Sequence, residues 1–149
     1  MPELPEVETT RRGITSQISG CAFEKIIIRN ASLRWPVPLS LKSRLKGQTV
    51  KTIERRGKYL LLRCTAGTLM IHLGMSGSLR LAPLREAPMK HDHIDLIFNS
   101  SYLLRYHDPR RFGSFHWIKR GEEHPLLASL GPDPLSKQFD GDYLFEKSR

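Results

Sequence analysis

MPELPE, the opening of this 149-residue chain, gathers two prolines and two carboxylates into its first turn. Chain ends usually carry little function unless something ties them down. These residue types suggest chemistry. Met1 is expected to be removed when a small residue follows it, and Pro2 then carries a free secondary amine. An α-amino group titrates near ~7.7–8.0, so a useful neutral fraction exists at physiological pH. Such an amine can attack an aldehyde-like carbon and form a cationic iminium. The reaction needs acids to move protons, and Glu3 and Glu6 stand beside it. Nearby carboxylates also favour the protonated amine, which opposes attack unless one of them serves as base. A retained Met1 would make Pro2 a tertiary amide and abolish this chemistry. Alone, the segment equally fits a helix start decorated with proline and glutamate.

The elements that must position these groups are legible in part. From Pro5, PEVETTRRGITSQISG reads as a helix, with proline suited to its first position and Glu6 and Glu8 to its positive end. Val7, Ile14 and Ile18 lie near one face, and Gly20 is a stop. FEKIIIRN is a β-rich run that RWPVP breaks, and SLKSRLKG forms one or two helical turns. TVKTIERRGKYLLLRC, TLMIHLG, SGSLRLAP, HDHIDLIFNS, YLLRYHD and RFGSFHWIK then read as successive strands. Ala66–Gly67 and 99–101 are hairpin-like links, and APLREAPMK is a surface loop. HPLLASLG is a short helix stopped by GPDP. The spacing predicts a mainly β fold, an antiparallel two-layer sandwich or barrel with the first helix packed on it.

Length suits one domain with a real core. Lys plus Arg number 24 against 15 acids, a net charge of +9, which favours a polyanionic partner and nucleic acid first. A merely soluble basic surface has the same charge. No stretch approaches the ~20 apolar residues of a membrane span, and no signal segment follows the start, so a cytoplasmic protein is expected. Cys21 and Cys64 are too few for a disulfide framework or a cysteine-rich zinc site.

Taken together, MPELPEVETTRRG, RRGKYLL, IHLGMSGSLR, HDHIDL…RYHDPRRFG and LGPDPL resemble, in order, the formamidopyrimidine-DNA glycosylase family, bacterial enzymes that excise oxidised purines. The resemblance runs over nearly the whole chain and implies a catalytic N-terminal β-sandwich domain over residues 1–149. It implies an AP lyase as well as a glycosylase. Pro2 falls on the nucleophile that attacks the sugar C1′ and stays linked to it as a Schiff base. Glu3 matches the acid that protonates the sugar ring oxygen, Glu6 the residue that positions water, and Lys58 a lysine near the damaged-strand phosphate. Without the motif Lys58 would be a solvated strand lysine.

Such an enzyme must extrude its base, and the gap costs a few kcal/mol unless side chains fill it. Met75, Arg110 and Phe112 match the family's three fillers, although Met75 and Phe112 by type alone fit a core. Both stand at apparent turns, beside Gly74 and Gly113. His72, His91 and Arg110 resemble DNA contacts, and Arg55, Arg56 and Arg111 are read as general phosphate binders. A metal between His91 and His93 ranks below phosphate contact because no third ligand is supplied. The resemblance further implies double-stranded DNA with oxidised purines or abasic sites as partner, a monomer, and nucleoid association. It implies a helix–two-turns–helix module and a four-cysteine finger with one structural zinc beyond these residues, and no cofactor within them. The ending YLFEKSR looks cut, and the chain alone is expected to bind duplex weakly and cleave poorly.

Leu4, GMSG and DPRRFG favour the oxidised-purine branch over the related endonuclease VIII group, which removes oxidised pyrimidines. Two other readings compete. One is a DNA-binding module of the same fold without catalysis. The other is single-strand binding through Trp35, Tyr59, Phe112, Phe115 and Trp117 as stacking platforms.

Overall fold

A computed structural model describes residues 4–122 together with 124 and 125. Pro2 and Glu3 lie outside the described residues, as does the expected helix HPLLASLG beyond Pro125. Ten elements follow in order: α1 (Leu4–Ile18), β1 (Phe23–Ile28), α2 (Leu41–Leu45), β2 (Thr52–Arg56), β3 (Tyr59–Arg63), β4 (Gly67–His72), β5 (Ser78–Pro83), β6 (Asp92–Phe98), β7 (Tyr102–His107) and β8 (Ser114–Lys119). The expected strands are all present, with one refinement. TVKTIERRGKYLLLRC is a hairpin, not a single run: Arg56 pairs with Tyr59 across the two-residue link Gly57–Lys58. Gly57 takes a positive φ of 61°, a conformation that side chains with a Cβ rarely adopt.

The strands form two antiparallel four-stranded sheets, ordered β1-β6-β7-β5 and β2-β3-β4-β8. Their inner faces share one core. Leu60, Leu62, Leu69 and Ile71 from one sheet meet Phe23, Ile94, Leu96, Phe98 and Leu104 from the other. Period-two alternation accounts for those inner positions. It does not account for Leu61, Met70 and Ile118, which are buried in a second small cluster with Tyr59 on the opposite face. The continuous run LLL in β3 therefore serves both faces.

A two-sheet sandwich leaves a seam between its edge strands on each side. Helix α1 contacts β2 and β5, and α2 contacts β1 and β8. Each helix thus closes one seam, with Val7, Ile14 and Ile18 of α1 and Leu41 and Leu45 of α2 inserted into the core. This covers apolar edges that would otherwise invite strand pairing. Gly20 ends α1 at φ 87°, as its sequence position predicts. No helix among the described residues is long and apolar enough to cross a membrane.

Candidate active site

Strand register defines the end of the sandwich that matters. In one sheet Arg56, Tyr59, His72 and Ser114 stand in a row, and in the other Ser78, His107 and Asp92 do. The β4–β5 and β7–β8 connections cross between these rows. Lys58, His72, Met75, His91, Arg110 and Phe112 therefore all sit at the same end.

Helix α1 starts there too. Its far end is tied to the start of β2, where Gly20 N–H donates to Val50 O at 2.7 Å and Ser19 Oγ donates to Lys51 O at 3.2 Å. Its first turns meet the other end of β2 through Glu8. The Glu8 carboxylate accepts from Arg11 at 2.6 Å, Arg12 at 2.9 Å and Arg55 at 3.0 Å. Arg55 also donates to the carbonyl of Gly57 at 3.2 Å. The bonds from Arg11, with those from Arg55 and Arg12, hold Glu8 down at about 2 although burial opposes them. One carboxylate thus fixes the helix start against the hairpin that carries Lys58. Arg55 is only 4% exposed in its side chain, so its expected role as a general phosphate binder is replaced by this internal one. Glu6 is exposed on the first turn of α1. Lys58 is half-buried in the hairpin link rather than solvated on a strand.

His72 packs its ring against Tyr59, with centroids 4.8 Å apart. Its Nδ1 accepts from the N–H of Gly74 at 3.0 Å, which leaves Nε2 to carry the proton of the neutral ring. Burial first, then the charges of Lys58 and Arg34, push its pKa below the ordinary value. A neutral Nε2–H donor beside two cations suits a phosphate oxygen.

Met75 and Phe112 are each 44% exposed, so neither belongs to the core that their types would suit. The Arg110 guanidinium lies 5.8 Å from the centre of the Phe112 ring. What holds the two turns together is Asp108, which no sequence motif singles out as an anchor. Fully buried, its carboxylate accepts from Ser76 Oγ at 2.8 Å, from Gly113 N–H at 3.0 Å and from the Tyr106 hydroxyl. Ser76 Oγ in turn accepts from Arg110 N–H at 3.2 Å. Burial and then the Asp108 carboxylate push the Tyr106 pKa far up, keeping it a donor. The glycines are required by contact. A Cβ on Gly74 would stand 2.5 Å from Gly113 N, and one on Gly113 would stand 2.0 Å from the Tyr106 hydroxyl. The one legible signal for Asp108 was Asp-Pro, a turn-forming pair.

His91 joins the same hub by its backbone, accepting from Asp108 N–H at 3.0 Å. It precedes β6 with φ 72°, whereas His93 is buried with Nε2 at 2.8 Å from Asp108 O. His91 thus stands outside the strand that carries His93, with the two ring centres 6.1 Å apart and edge to face. Among the described residues, no group of three or more His, Cys, Asp or Glu could hold a metal. The five-residue stacking platform is overturned: Phe115 is fully buried and Trp117 packs against the core, while Trp35 and Phe112 remain exposed.

Residues 1–115 match the family model described as formamidopyrimidine-DNA glycosylase N-terminal domain. The chain belongs to the formamidopyrimidine-DNA glycosylase family. A formamidopyrimidine-DNA glycosylase of Hydrogenovibrio crunogenus is 59% identical over 148 residues, covering 99% of this chain and 53% of that protein. One from Nitrosococcus oceani is 55% identical over the whole chain and 55% of its own length. The chain thus spans about half the length of the curated relatives it matches. Among solved structures, the Lactococcus lactis glycosylase bound non-covalently to DNA containing an AP site superposes with a TM-score of 0.82. It is 36% identical, over 97% of this chain and 56% of that one. A MutM structure in complex with DNA containing carbocyclic 8-oxo-G gives 0.74 at 38% identity, covering 80% and 45%. The two-sheet architecture with an N-terminal helix is that of the glycosylase N-terminal domain.

Proposed function

We propose that this chain is the catalytic half of a bacterial base-excision repair enzyme. It removes oxidised purines such as 8-oxoguanine and formamidopyrimidines, then nicks the abasic strand. The supporting observation is convergence: the start of α1, the Lys58 hairpin and the turns bearing Met75, Arg110 and Phe112 share one end of the sandwich. With Met1 removed, the Pro2 nitrogen bonds to C1′ as the glycosidic bond breaks, and the base leaves with the electron pair and a proton. The amine sheds its own proton, and Glu3 protonates the ring oxygen as that bond opens, leaving an iminium between Pro2 and C1′. The iminium acidifies the neighbouring C2′ hydrogen, and its loss drives elimination of the 3′ phosphate; elimination of the 5′ phosphate follows. Lys58 holds the damaged-strand phosphate, and Glu6 positions water.

Met75, Arg110 and Phe112 fill the space left by the extruded nucleotide, Arg110 pairing with the orphaned base. His72 and His91 contact phosphates, and the partner is duplex DNA in the bacterial cytoplasm, met by a monomer. Cys21 and Cys64 alone would not hold a structural zinc; that zinc, with a helix–two-turns–helix module and finger adding DNA grip, would fall in the part of the relatives' length that this chain does not span.

Borohydride trapping tests this reading. This chain, joined to the remaining half of the Hydrogenovibrio relative, is expected to give a covalent adduct with abasic-site and 8-oxoguanine duplexes. Pro2→Gly weakens the adduct, a one-residue N-terminal extension abolishes it, and the 149 residues alone trap poorly. An adduct that survives blocking of the terminus overturns the proline mechanism. Salt-sensitive binding with no adduct would make the protein a binding module instead.

A further inference from the structure

We propose that Arg34 and Trp35 form an additional nucleic-acid contact, taking the phosphate and the exposed face of a nucleotide beside the extruded one. This rests on the proposed function for its partner. The connection from β1 to α2 is a built projection. Ser32 bridges to Pro36, Val37 N–H donates to Ala31 O at 3.0 Å, and Ser32 N–H donates to Asn30 Oδ1 at 2.9 Å. Leu33 and Val37 anchor it in the core, at 8% and 4% exposure. Between these anchors Arg34 and Trp35 point out, and Trp35 remains 46% exposed.

The projection is continuous with the candidate site. Arg34 N–H donates to Gly113 O at 3.3 Å, and Arg111 Nη1 donates to Ser32 O at 3.3 Å, so the loop is clasped to the turn that carries Phe112. The charge of Arg34 reaches both His72 and Tyr59. Its guanidinium lies 5.9 Å from the centre of the Trp35 ring. An indole held in water by two buried anchors, with a cation stacked on it, matches what an unstacked nucleotide needs. The cation meets the phosphate, and the free aromatic surface meets a base or sugar. The cations around it, Arg34, Arg110 and Arg111, favour a polyanion over an acidic or apolar protein surface.

Fluorescence titration of the whole chain at low salt tests this, with a short duplex containing an abasic-site analogue as probe. Binding is expected to shield Trp35 from acrylamide. Trp35→Leu weakens binding about tenfold with the salt dependence unchanged, and Trp35→Tyr restores most of it. Arg34→Gln weakens binding and lowers the log–log salt slope by about 0.9. Thermal melts of all three are expected to match the parent, because both side chains are exposed. Parent-like affinity and slope in both Trp35→Leu and Arg34→Gln overturns this contact alone. If the variants weaken binding but the trapping experiment yields no adduct, the surface stands and the catalytic reading falls. A parent chain that ignores the duplex even at low salt overturns this contact and leaves the catalytic reading to the trapping experiment.

Discussion

Asp108 makes no contact that a sequence motif would name, yet three donors from different elements end on its buried carboxylate. Removing that charge leaves the Gly113 N–H and the Ser76 and Tyr106 hydroxyls underserved around a position that is itself fully buried. Such losses cost about 1–3 kcal/mol, and more for a charged acceptor. Asp108→Asn is therefore expected to lower unfolding stability by about 2–3 kcal/mol in urea. It should also speed amide exchange at Gly113. Ser76→Ala removes one of the three donors to Asp108 and the acceptor of the exposed Arg110 N–H, and is expected to cost about 1 kcal/mol. Equal costs for the two variants would mean that Asp108 is not the shared anchor. Residue chemistry also separates two arginines that looked alike in sequence. Arg55 is consumed by Glu8, whereas Arg111 remains exposed beside Ser32.

Between elements, the decisive tie is Glu8, which joins the first turns of α1 to the β2–β3 hairpin through Arg55. Its folded pKa, about 2, lies below the ordinary 4.5. A carboxylate shifted down contributes stability that is fully present above its unfolded value. That contribution fades as pH falls from 4.5 toward 2, because the unfolded chain takes up the proton first. Glu8→Gln is expected to lower stability at neutral pH by about 1–2 kcal/mol. It should also flatten the stability profile across that acid window, as urea unfolding at stepped pH would record. A profile as steep as that of the parent would assign the acid sensitivity elsewhere. Asp92 and Asp95 are also held low, against burial, by their hydrogen bonds, so part of the acid slope remains in the variant.

Across the whole molecule, the +9 charge and the crowding of Lys58, Arg34, Arg110 and Arg111 at one end would make the proposed duplex binding an ion-exchange process. Each neutralised phosphate releases counterions and adds about 0.9 to the salt slope. Raising salt from ~50 to ~200 mM is expected to weaken the complex on the order of tenfold or more for a few such contacts. Fluorescence anisotropy with a labelled duplex checks this, and affinity indifferent to salt would remove phosphate contact from the account. The two seam-closing helices tie the sheets to each other, since both insert side chains into the shared core.

The sequence by itself determined the strands, the first helix and the family. Alternation, turn residues and five ordered motifs are local properties of a chain, and the alternation and turns reappear as strands and links among the described residues. The resemblance singled out Met75 and Phe112, which by type alone fit a core, and the neighbouring Gly74 and Gly113 marked their positions as turns. Tertiary structure alone decided that Arg55 faces inward to Glu8, that Asp108 joins two turns separated by more than thirty residues at Ser76, and that Phe115 is core while Trp35 is not. Burial and long-range pairing depend on which surfaces meet when the sheets close. No local pattern of residues encodes that meeting.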